Sequence, residues 1–269
     1  MRDLIVLGGG PAGYAAAARA GGMGKNVLLI EKDRLGGTCL NCGCVPTKSF
    51  LHAAKLYHHA RHSEAFGVKA EGVSFDYPVM RDRTGRAQDS LRTGVAGLLK
   101  KSKVETIAGE GVILDRNRVR VGDQVHETAA LLIAVGSRPA EPPIPGLKDN
   151  PAVVDSAGLL SLPAAAGSLA VIGGGVIGIE FACFYSLLGA KVTVIEMLPQ
   201  ICGSLDRELA LTLQKRLESR GAAVHAGAKV EKVEGGEVFF TDRQGAAQSV
   251  RAERVLAAAG RVANLEGFG

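Results

Sequence analysis

The chain has 269 residues, enough for about two domains of ordinary size. Hydrophobic residues make up 46% of it and charged residues 22%, as in a globular protein, and no apolar stretch approaches the roughly 20 residues of a membrane helix. A net charge of +5, with 4% aromatic residues and no long basic run, predicts neither a nucleic-acid partner nor a membrane partner. A strand-like run begins almost at Met1 and leaves no room for a signal peptide, so we expect a cytoplasmic protein.

A strand–turn–helix–strand pattern opens the chain. An apolar strand at 4–7 runs into a turn, an Ala-rich helix follows at 11–20, and a second apolar strand at 27–30 ends in Glu31. The turn has the G-x-G-x-x-G spacing, with its glycines at Gly8, Gly10 and Gly13. Such a turn lets the backbone approach a diphosphate at the start of the helix, and the acid accepts a hydrogen bond from a ribose hydroxyl. The pattern predicts a dinucleotide site.

Three of the chain's five cysteines lie close together, at Cys39, Cys42 and Cys44. Clustered thiols in an intracellular chain are typical of redox chemistry or metal binding. Five positions along a regular helix put two Cα atoms about 8.6 Å apart, whereas a disulfide needs less than about 7 Å. A Cys39–Cys44 bond therefore requires a distorted turn, which Gly43 and Pro46 can help to form.

Two other uses of these thiols stay open. Cys39 and Cys42 form a Cys-x-x-Cys pair, as in thioredoxin-like proteins. Three cysteines can also hold zinc with a histidine, of which His52 is the nearest in sequence, although the chain has no second Cys-x-x-Cys. We expect no metal site and interpret Cys42 as an incidental buried or semi-buried thiol.

The middle of the chain contains the predicted domain boundary. Residues 104–133 read as several short strands, and the segment 139–151 contains five prolines, which is typical of an irregular connection. We place a first nucleotide-binding domain at 1–146 and a second at 147–269.

The opening pattern recurs 165 residues further along the chain. A strand at 169–172 leads into a helix that ends near 188, and a strand at 192–195 ends in Glu196. The glycines of the second turn are Gly173, Gly175 and Gly178. In both copies the acid lies 23 positions after the first glycine. Glu196 would repel a 2′-phosphate, and the next residues, Met197 and Leu198, are not basic, so this site should prefer NAD over NADP.

The remaining pattern completes the predicted fold. A helix at 205–219 has leucines every fourth residue, at Leu205, Leu209, Leu213 and Leu217, and strands are predicted at 237–241 and 255–259. Together the elements indicate an α/β protein with two Rossmann-like, doubly wound nucleotide-binding domains.

Three stretches in a fixed order carry a family resemblance. They are Gly36-Gly37-Thr38-Cys39-Leu40-Asn41-Cys42-Gly43-Cys44-Val45-Pro46-Thr47-Lys48, Ala134-Val135-Gly136-Ser137-Arg138-Pro139, and Ala259-Gly260-Arg261. With the two glycine motifs, this order resembles the flavin-dependent pyridine nucleotide–disulfide oxidoreductases over essentially the whole chain. Cys42 and Val135 depart from the common pattern. Within the family the sequence looks most like the dihydrolipoamide dehydrogenase type, with mercuric reductase or another reductase of the family as the alternative. A non-catalytic nucleotide-binding or redox-sensing fragment is an alternative of a different class.

The resemblance implies a mechanism and cofactors. FAD and NAD would be the cofactors, Cys39 would exchange with a small dithiol substrate such as a lipoyl group, and Cys44 would pass electrons to the flavin. Lys48 and Glu180 would form a buried ion pair near the flavin. The resemblance also implies a homodimer for the full-length protein.

The same resemblance assigns the nucleotide contacts. FAD would be bound by Gly8, Gly10, Pro11, Ala12, Gly13, Glu31, Lys32, Gly37, Thr38, Lys48, Gly111, Gly136 and Ser137. NAD would be bound by Gly173, Gly175, Val176, Ile177, Gly178, Glu180, Glu196, Val230 and Gly260.

Family members also have a C-terminal dimerisation domain that supplies a His–Glu acid–base pair. None of the six histidines of this chain lies in that motif. We therefore expect a truncated chain whose first domain is incomplete, and which alone holds FAD loosely or not at all and has little turnover.

Overall fold

The computed structural model describes residues 1–269. The helices are α1 Pro11–Gly22, α2 Gly37–Cys42, α3 Cys44–Arg61, α4 Tyr77–Lys101, α5 Ser156–Leu160, α6 Val176–Leu188 and α7 Arg207–Glu218, with a 3₁₀ turn at Ser63–Phe66. The strands are β1 Arg2–Leu7, β2 Val27–Glu31, β3 Glu105–Ala108, β4 Gly111–Asp115, β5 Arg118–Val121, β6 Gln124–Ile133, β7 Ser137–Pro139, β8 Val153–Val154, β9 Ser168–Ile172, β10 Lys191–Glu196, β11 Ala223–Ala226, β12 Lys229–Glu234, β13 Glu237–Thr241, β14 Ala247–Arg251, β15 Arg254–Ala257 and β16 Arg261–Ala263. None of the helices is both long enough and apolar enough to cross a membrane.

The chain forms two compact units that are not consecutive in sequence. Unit 1 contains Met1–Pro46, Thr84–Arg138 and Val262–Gly269, and unit 2 contains Thr47–Arg83 and Pro139–Arg261. This division differs from a boundary between residues 146 and 147. The segment Thr47–Arg83 belongs to unit 2 because its aromatic side chains pack there: the Phe50 ring lies 5.4 Å from those of Tyr77 and Phe184.

Unit 1 is built on a six-stranded sheet in the order β3-β2-β1-β6-β5-β4. The strands β3, β2, β1 and the second half of β6 are parallel, whereas β4, β5 and the first half of β6 are antiparallel. Both faces of β1 and β2 are covered. Val6 and Leu29 pack with Leu99 of α4 on one face, and Ile5 and Leu28 pack on the other. Burial on both faces explains why these strands are continuous apolar runs.

Unit 2 has three layers. Its central sheet, β11-β10-β9-β15-β8, is entirely parallel. On one face β9 and β10 pack against α6, where Phe184 and Tyr185 are buried. On the other face Ala170 and Ile195 contact Val238 and Phe240 of a three-stranded antiparallel sheet, β12-β13-β14. The predicted α/β class with two Rossmann-like regions is confirmed.

The prediction that the leucines at every fourth position form the apolar face of α7 is wrong. Leu205 precedes the helix, and Leu209 is exposed, whereas the buried residues are Ala210 and Leu217. A spacing of four residues drifts by roughly 40° per step around a helix of 3.6 residues per turn, so a long row of such positions leaves the buried face. The buried line instead follows Ala210, Leu213 and Leu217, at the i, i+3, i+7 spacing.

Candidate functional site

The first glycine turn is shaped by close backbone packing. Gly8 has a left-handed φ of +101°, and a Cβ there would lie 2.3 Å from the carbonyl oxygen of Ala134. A Cβ on Gly13 would lie 1.8 Å from the carbonyl oxygen of Gly8. No side chain fits at either position, so α1 starts directly against the end of β1.

The second turn repeats this geometry in unit 2. Gly173 has a φ of +106°, and a Cβ there would lie 2.4 Å from the carbonyl oxygen of Ala258. A Cβ on Gly178 would lie 2.0 Å from the carbonyl oxygen of Gly173. The repeat seen in the sequence is therefore also a repeat of backbone geometry.

The two glutamates bind their own turns. The backbone N–H groups of Gly9 and Asp33 donate to the two carboxylate oxygens of Glu31, at 2.6 and 2.9 Å. The N–H groups of Gly174 and Leu198 do the same for Glu196, at 2.5 and 2.7 Å. Sequence reasoning missed this second role, although a glycine in the middle of each Gly-Gly-Gly run is its signal. A carboxylate has about four acceptor positions, so each can still accept a bond from a ribose hydroxyl.

The start of α1 can receive an anion. Gly10 occupies the N-cap without a side-chain hydrogen bond, and Pro11 stands at the first position, as is typical of helix starts. The first-turn N–H groups, including those of Ala12 and Gly13, have no acceptor within the helix. A Cβ on Gly37 would lie 2.7 Å from the Cα of Gly10, so α2 begins directly against this helix start. The structure thus brings together the predicted FAD residues 10–13, 37 and 38.

The start of α6 is open in the same way. Gly175 is its N-cap, again without a side-chain bond, and a Cβ built there would meet no atom within 4 Å. Val176, the first helical residue, is exposed. Both helix starts therefore fit a diphosphate group, because each offers backbone N–H groups behind a glycine N-cap that has no side-chain hydrogen bond.

Five other predicted contact residues lie outside the two glycine turns. Lys32 is exposed and pairs with Glu110 at 3.6 Å. A Cβ on Gly111 would lie 2.4 Å from the Leu7 side chain, and Val230 packs against the core of unit 2. Gly136 and Gly260 have left-handed φ values of +73° and +111°. The nucleotide contacts predicted for these residues remain predictions.

The redox segment is a broken helix. Cys39 lies in α2 and Cys44 begins α3, and Gly43 between them has φ −133° and ψ −112°, far from helical values. A Cβ on Gly43 would lie 2.8 Å from the carbonyl oxygen of Thr38. The break is the kind of distorted turn that a Cys39–Cys44 bond needs. The pairing itself remains a prediction.

A polar network that the sequence did not reveal holds the end of α2. The Asn41 side chain donates to the carbonyl oxygens of Arg34, Leu35 and Gly37 at 3.0–3.2 Å. Gln88 Nε2, from α4, donates to the carbonyl oxygen of Asn41 at 2.6 Å and to that of Leu40 at 3.2 Å. Arg92 Nη1 donates to Asn41 Oδ1 at 2.8 Å. These bonds fix the backbone on both sides of Cys39.

Lys48 and Glu180 form the predicted contact, but it is not buried. Lys48 Nζ lies 2.6 Å from Glu180 Oε1, and the Lys48 side chain is 57% exposed. Phe50 and Ala54 of the same helix are buried in the core of unit 2, whereas Lys48 is exposed. An exposed pair of this kind contributes about 0–1 kcal/mol to stability.

The remaining two cysteines are poor nucleophiles. Burial raises the pKa of the Cys183 thiol. Burial raises the pKa of Cys202 as well, and the carboxylates of Glu196 and Glu180 add to this effect. Both thiols are therefore protonated near neutral pH. The structure brings together no group of three or more His, Cys, Asp or Glu side chains that could hold a metal, so the alternative of zinc with His52 gains no support.

Two nucleotide-type turns and a broken-helix cysteine segment define a class of protein. The chain belongs to the pyridine nucleotide-disulphide oxidoreductase family, whose sequence model matches residues 2–268. It is 39% identical to the dihydrolipoyl dehydrogenase of Geobacillus stearothermophilus over 99% of its length, and 37% identical to that of Mycoplasma pneumoniae over 98%. Among solved structures it is similar to the HOCl-induced flavoprotein disulfide reductase RclA from Escherichia coli, with a TM-score of 0.80 and 28% identity over 96% of this chain and 56% of that one. The chain spans 58% of the length of both curated relatives.

Proposed function

We propose that this chain carries the nucleotide sites and the redox thiols of an FAD- and NAD-dependent disulfide oxidoreductase of the dihydrolipoyl dehydrogenase type. One observation carries the proposal: the same glycine turn, closed by a glutamate that binds its backbone, occurs in both units, and unit 1 adds a cysteine segment broken at Gly43. The names of the curated relatives favour this type over a mercuric reductase.

FAD is assigned to unit 1. The start of α1 binds the diphosphate through backbone N–H groups, and Glu31 accepts a ribose hydroxyl. The close approach of Gly37 to Gly10 brings α2, and with it Cys39, beside this site. When bound, FAD supplies a two-electron carrier between the thiols and the nicotinamide.

NAD is assigned to unit 2. The start of α6 binds the diphosphate, and Glu196 accepts a hydroxyl of the adenosine ribose. Met197 and Leu198 are exposed and apolar, so they offer no cation to a 2′-phosphate. Repulsion between such a phosphate and Glu196 selects NAD over NADP.

The thiols carry the exchange with substrate. One thiolate of a dithiol attacks Sγ of Cys39, the Cys39–Cys44 bond breaks, and Cys44 leaves as a thiolate. The second substrate thiol then attacks the mixed disulfide, which releases the oxidised substrate and the Cys39 thiol. Two electrons and two protons leave the dithiol; the electrons end on NAD with one proton, and the other proton is released. Cys44 is exposed and Cys39 is half-buried, so both are within reach of reagents from solvent.

Lys48 has an electrostatic role in this proposal. Its ammonium is held by Glu180 at 2.6 Å, which fixes a positive charge four residues after Cys44. The family resemblance implies that this charge would lie near the flavin, where a cation tunes the electronic properties of the ring. The pairing with Glu180 sets the position of the Lys48 ammonium.

The whole protein's substrate and assembly follow from the same proposal. We assign a lipoyl dithiol as substrate and a homodimer as the assembly, as the resemblance implies. A nucleotide-binding or redox-sensing chain without turnover is the competing function, and the two differ in whether electrons pass from NADH to the thiols.

The test is a visible absorbance titration of the purified chain with FAD, followed by NADH, NADPH or dithiothreitol. We expect FAD to bind only loosely, and we expect the bound FAD to be bleached by NADH more readily than by NADPH and to show a long-wavelength band on reduction by dithiothreitol. A Cys39→Ser variant should keep that band and a Cys44→Ser variant should lose it. Bound FAD that NADH does not bleach would favour the redox-sensing function. Failure of the chain to bind NADH would refute the assignment of NAD to unit 2, whereas a colourless protein that still binds NADH would mean that the chain alone does not hold FAD.

A further inference from the structure

The redox segment contains a third thiol, Cys42, which the proposed reaction does not use. Cys39 and Cys42 both lie in α2, three positions apart, and are half-buried. On a regular helix that spacing puts their Cα atoms about 5 Å apart and on the same face. This distance is within the roughly 4.4–6.8 Å that disulfides span. By contrast, Cys44 is separated from α2 by the break at Gly43.

Little movement is needed to bond Cys39 to Cys42. Cβ atoms three positions apart on a helix are about 5–6 Å from each other, and a disulfide brings them to about 3.5–4.5 Å. Tightening the last turn towards 3₁₀ geometry aligns such side chains. Cys42 is the last residue of α2 and is followed by Gly43, so the turn can tighten at its end. Gln88 meanwhile keeps the carbonyl groups of Leu40 and Asn41 in place.

We propose that Cys42 is a second resolving thiol for Cys39. The proposal rests on the proposed function, in which Cys39 and Cys44 form the working disulfide. The Cys42 thiolate attacks Sγ of Cys39, a Cys39–Cys42 bond forms, the Cys39–Cys44 bond breaks, and Cys44 leaves as a thiolate. Cys42 gives its proton to solvent and Cys44 can take one up. The step is an isomerisation at constant oxidation level and needs no added oxidant.

The isomerisation divides the oxidised protein into two forms. In one form Cys39 is bonded to Cys44 and the substrate reaction can proceed. In the other Cys39 is bonded to Cys42, so the exchange thiol is separated from Cys44, which is exposed as a thiol. Cys42 thereby sets the fraction of oxidised protein that is competent for turnover.

The test locates the remaining thiol in the oxidised protein. The protein is equilibrated in glutathione buffers, quenched in acid, unfolded and alkylated with iodoacetamide, and then reduced and labelled with N-ethylmaleimide. Trypsin cleaves after Arg34 and Lys48, so one peptide contains all three cysteines, and its fragment masses show which one carries the first label. We expect Cys44 to carry the first label, iodoacetamide, in more than about a tenth of the oxidised peptide. Such a fraction means that the equilibrium constant between the Cys39–Cys44 and Cys39–Cys42 disulfides is less than about ten.

Two variants make the outcome decisive. In Cys42→Ser the oxidised peptide should contain the Cys39–Cys44 bond alone, and the matched Cys183→Ala variant should leave the wild-type distribution unchanged. If the first label in the wild type is always on Cys42, the inference is overturned and the Cys39–Cys44 pair stands. If Cys42→Ser forms no Cys39–Cys44 bond in any buffer, the proposed function itself fails.

Discussion

Glu196 accepts a hydrogen bond of 2.5 Å from the backbone N–H of Gly174, the middle glycine of the second turn. A second bond, of 2.7 Å, comes from Leu198. The carboxylate therefore stabilises the turn through its oxygens, and in the proposed function its charge selects the nucleotide. One substitution can separate these two effects.

We expect Glu196→Gln to weaken discrimination between NADH and NADPH. The amide keeps one acceptor oxygen but places an NH₂ group against the other backbone N–H, so the free energy of unfolding should fall by about 1–2 kcal/mol. Removal of the negative charge should raise NADPH affinity relative to NADH by about tenfold, a change of 1.4 kcal/mol. Fluorescence titrations with both nucleotides measure the ratio, with Glu234→Gln on an exposed strand as the control. An unchanged ratio would mean that Glu196 does not face the ribose.

Substitution by alanine should have different effects at Gly175, the N-cap of α6, and at Gly178 in its first turn. Gly178→Ala places a Cβ 2.0 Å from the carbonyl oxygen of Gly173, and overpacking of this kind costs about 1–3 kcal/mol. Gly175→Ala meets no atom within 4 Å and should cost less than about 1 kcal/mol. Its Cβ would, however, stand where a diphosphate approaches the backbone, so NADH affinity should fall by roughly tenfold or more. Thermal unfolding and NADH titration of both variants test the pair, and a Gly175→Ala protein with normal NADH affinity would contradict the assigned site.

These turns were predictable from the sequence because their physics is local. Gly8 and Gly173 are needed for a left-handed φ, and Glu31 and Glu196 follow at a spacing set by one helix and one strand. Lys48 and Glu180 are 132 residues apart in sequence, and their contact was expected only through the family resemblance. Its exposure was not expected, because a sequence pattern does not show which face of α3 packs.

Other features depend on packing that no short pattern encodes. Gln88 binds the backbone of Asn41 across 47 residues, and nothing in the sequence of α4 distinguishes this glutamine from a surface one. The assignment of Thr47–Arg83 to unit 2 likewise follows from where Phe50 finds aromatic neighbours. Proline-rich composition indicated a boundary near 147, but composition cannot show that a chain leaves one unit and returns to it.

The hydrogen bonds from Gln88 should control how firmly the redox segment is held. We expect Gln88→Ala to reduce the free energy of unfolding by about 1–3 kcal/mol, because two carbonyl groups at the end of α2 lose their side-chain donor. The substitution should also speed hydrogen exchange of the α2 amides. In addition, it should shift the ratio of reduced to oxidised glutathione at which Cys39 and Cys44 form their disulfide. Gln214→Ala is the control, since Gln214 bonds only the exposed Glu218 on α7. Loss of stability without any shift of the glutathione ratio would show that Gln88 has a purely structural role.

Thiol reactivity should separate the redox segment from the two cysteines of unit 2. Burial raises the pKa of Cys183 and Cys202 above the ordinary value of 9.0, and alkylating reagents attack the thiolate. At pH 8 we therefore expect iodoacetamide to label Cys44 first, while Cys183 and Cys202 stay unlabelled until the pH exceeds 9 or the protein unfolds.

The same shifts make stability depend on pH. A thiol with a raised pKa in the folded state holds its proton where the unfolded chain has lost it, so its contribution is fully present below the ordinary thiol pKa and is lost as pH rises through the folded-state pKa. The labelling experiment can treat the two thiols separately: Cys183 and Cys202 fall in different tryptic peptides, so mass spectrometry can follow the rate at which iodoacetamide labels each of them. If either cysteine is labelled at pH 8 as fast as Cys44, these thiols are not protected by burial. In unfolding experiments, the Cys183→Ala variant should lose less unfolding free energy above pH 9 than the wild type does.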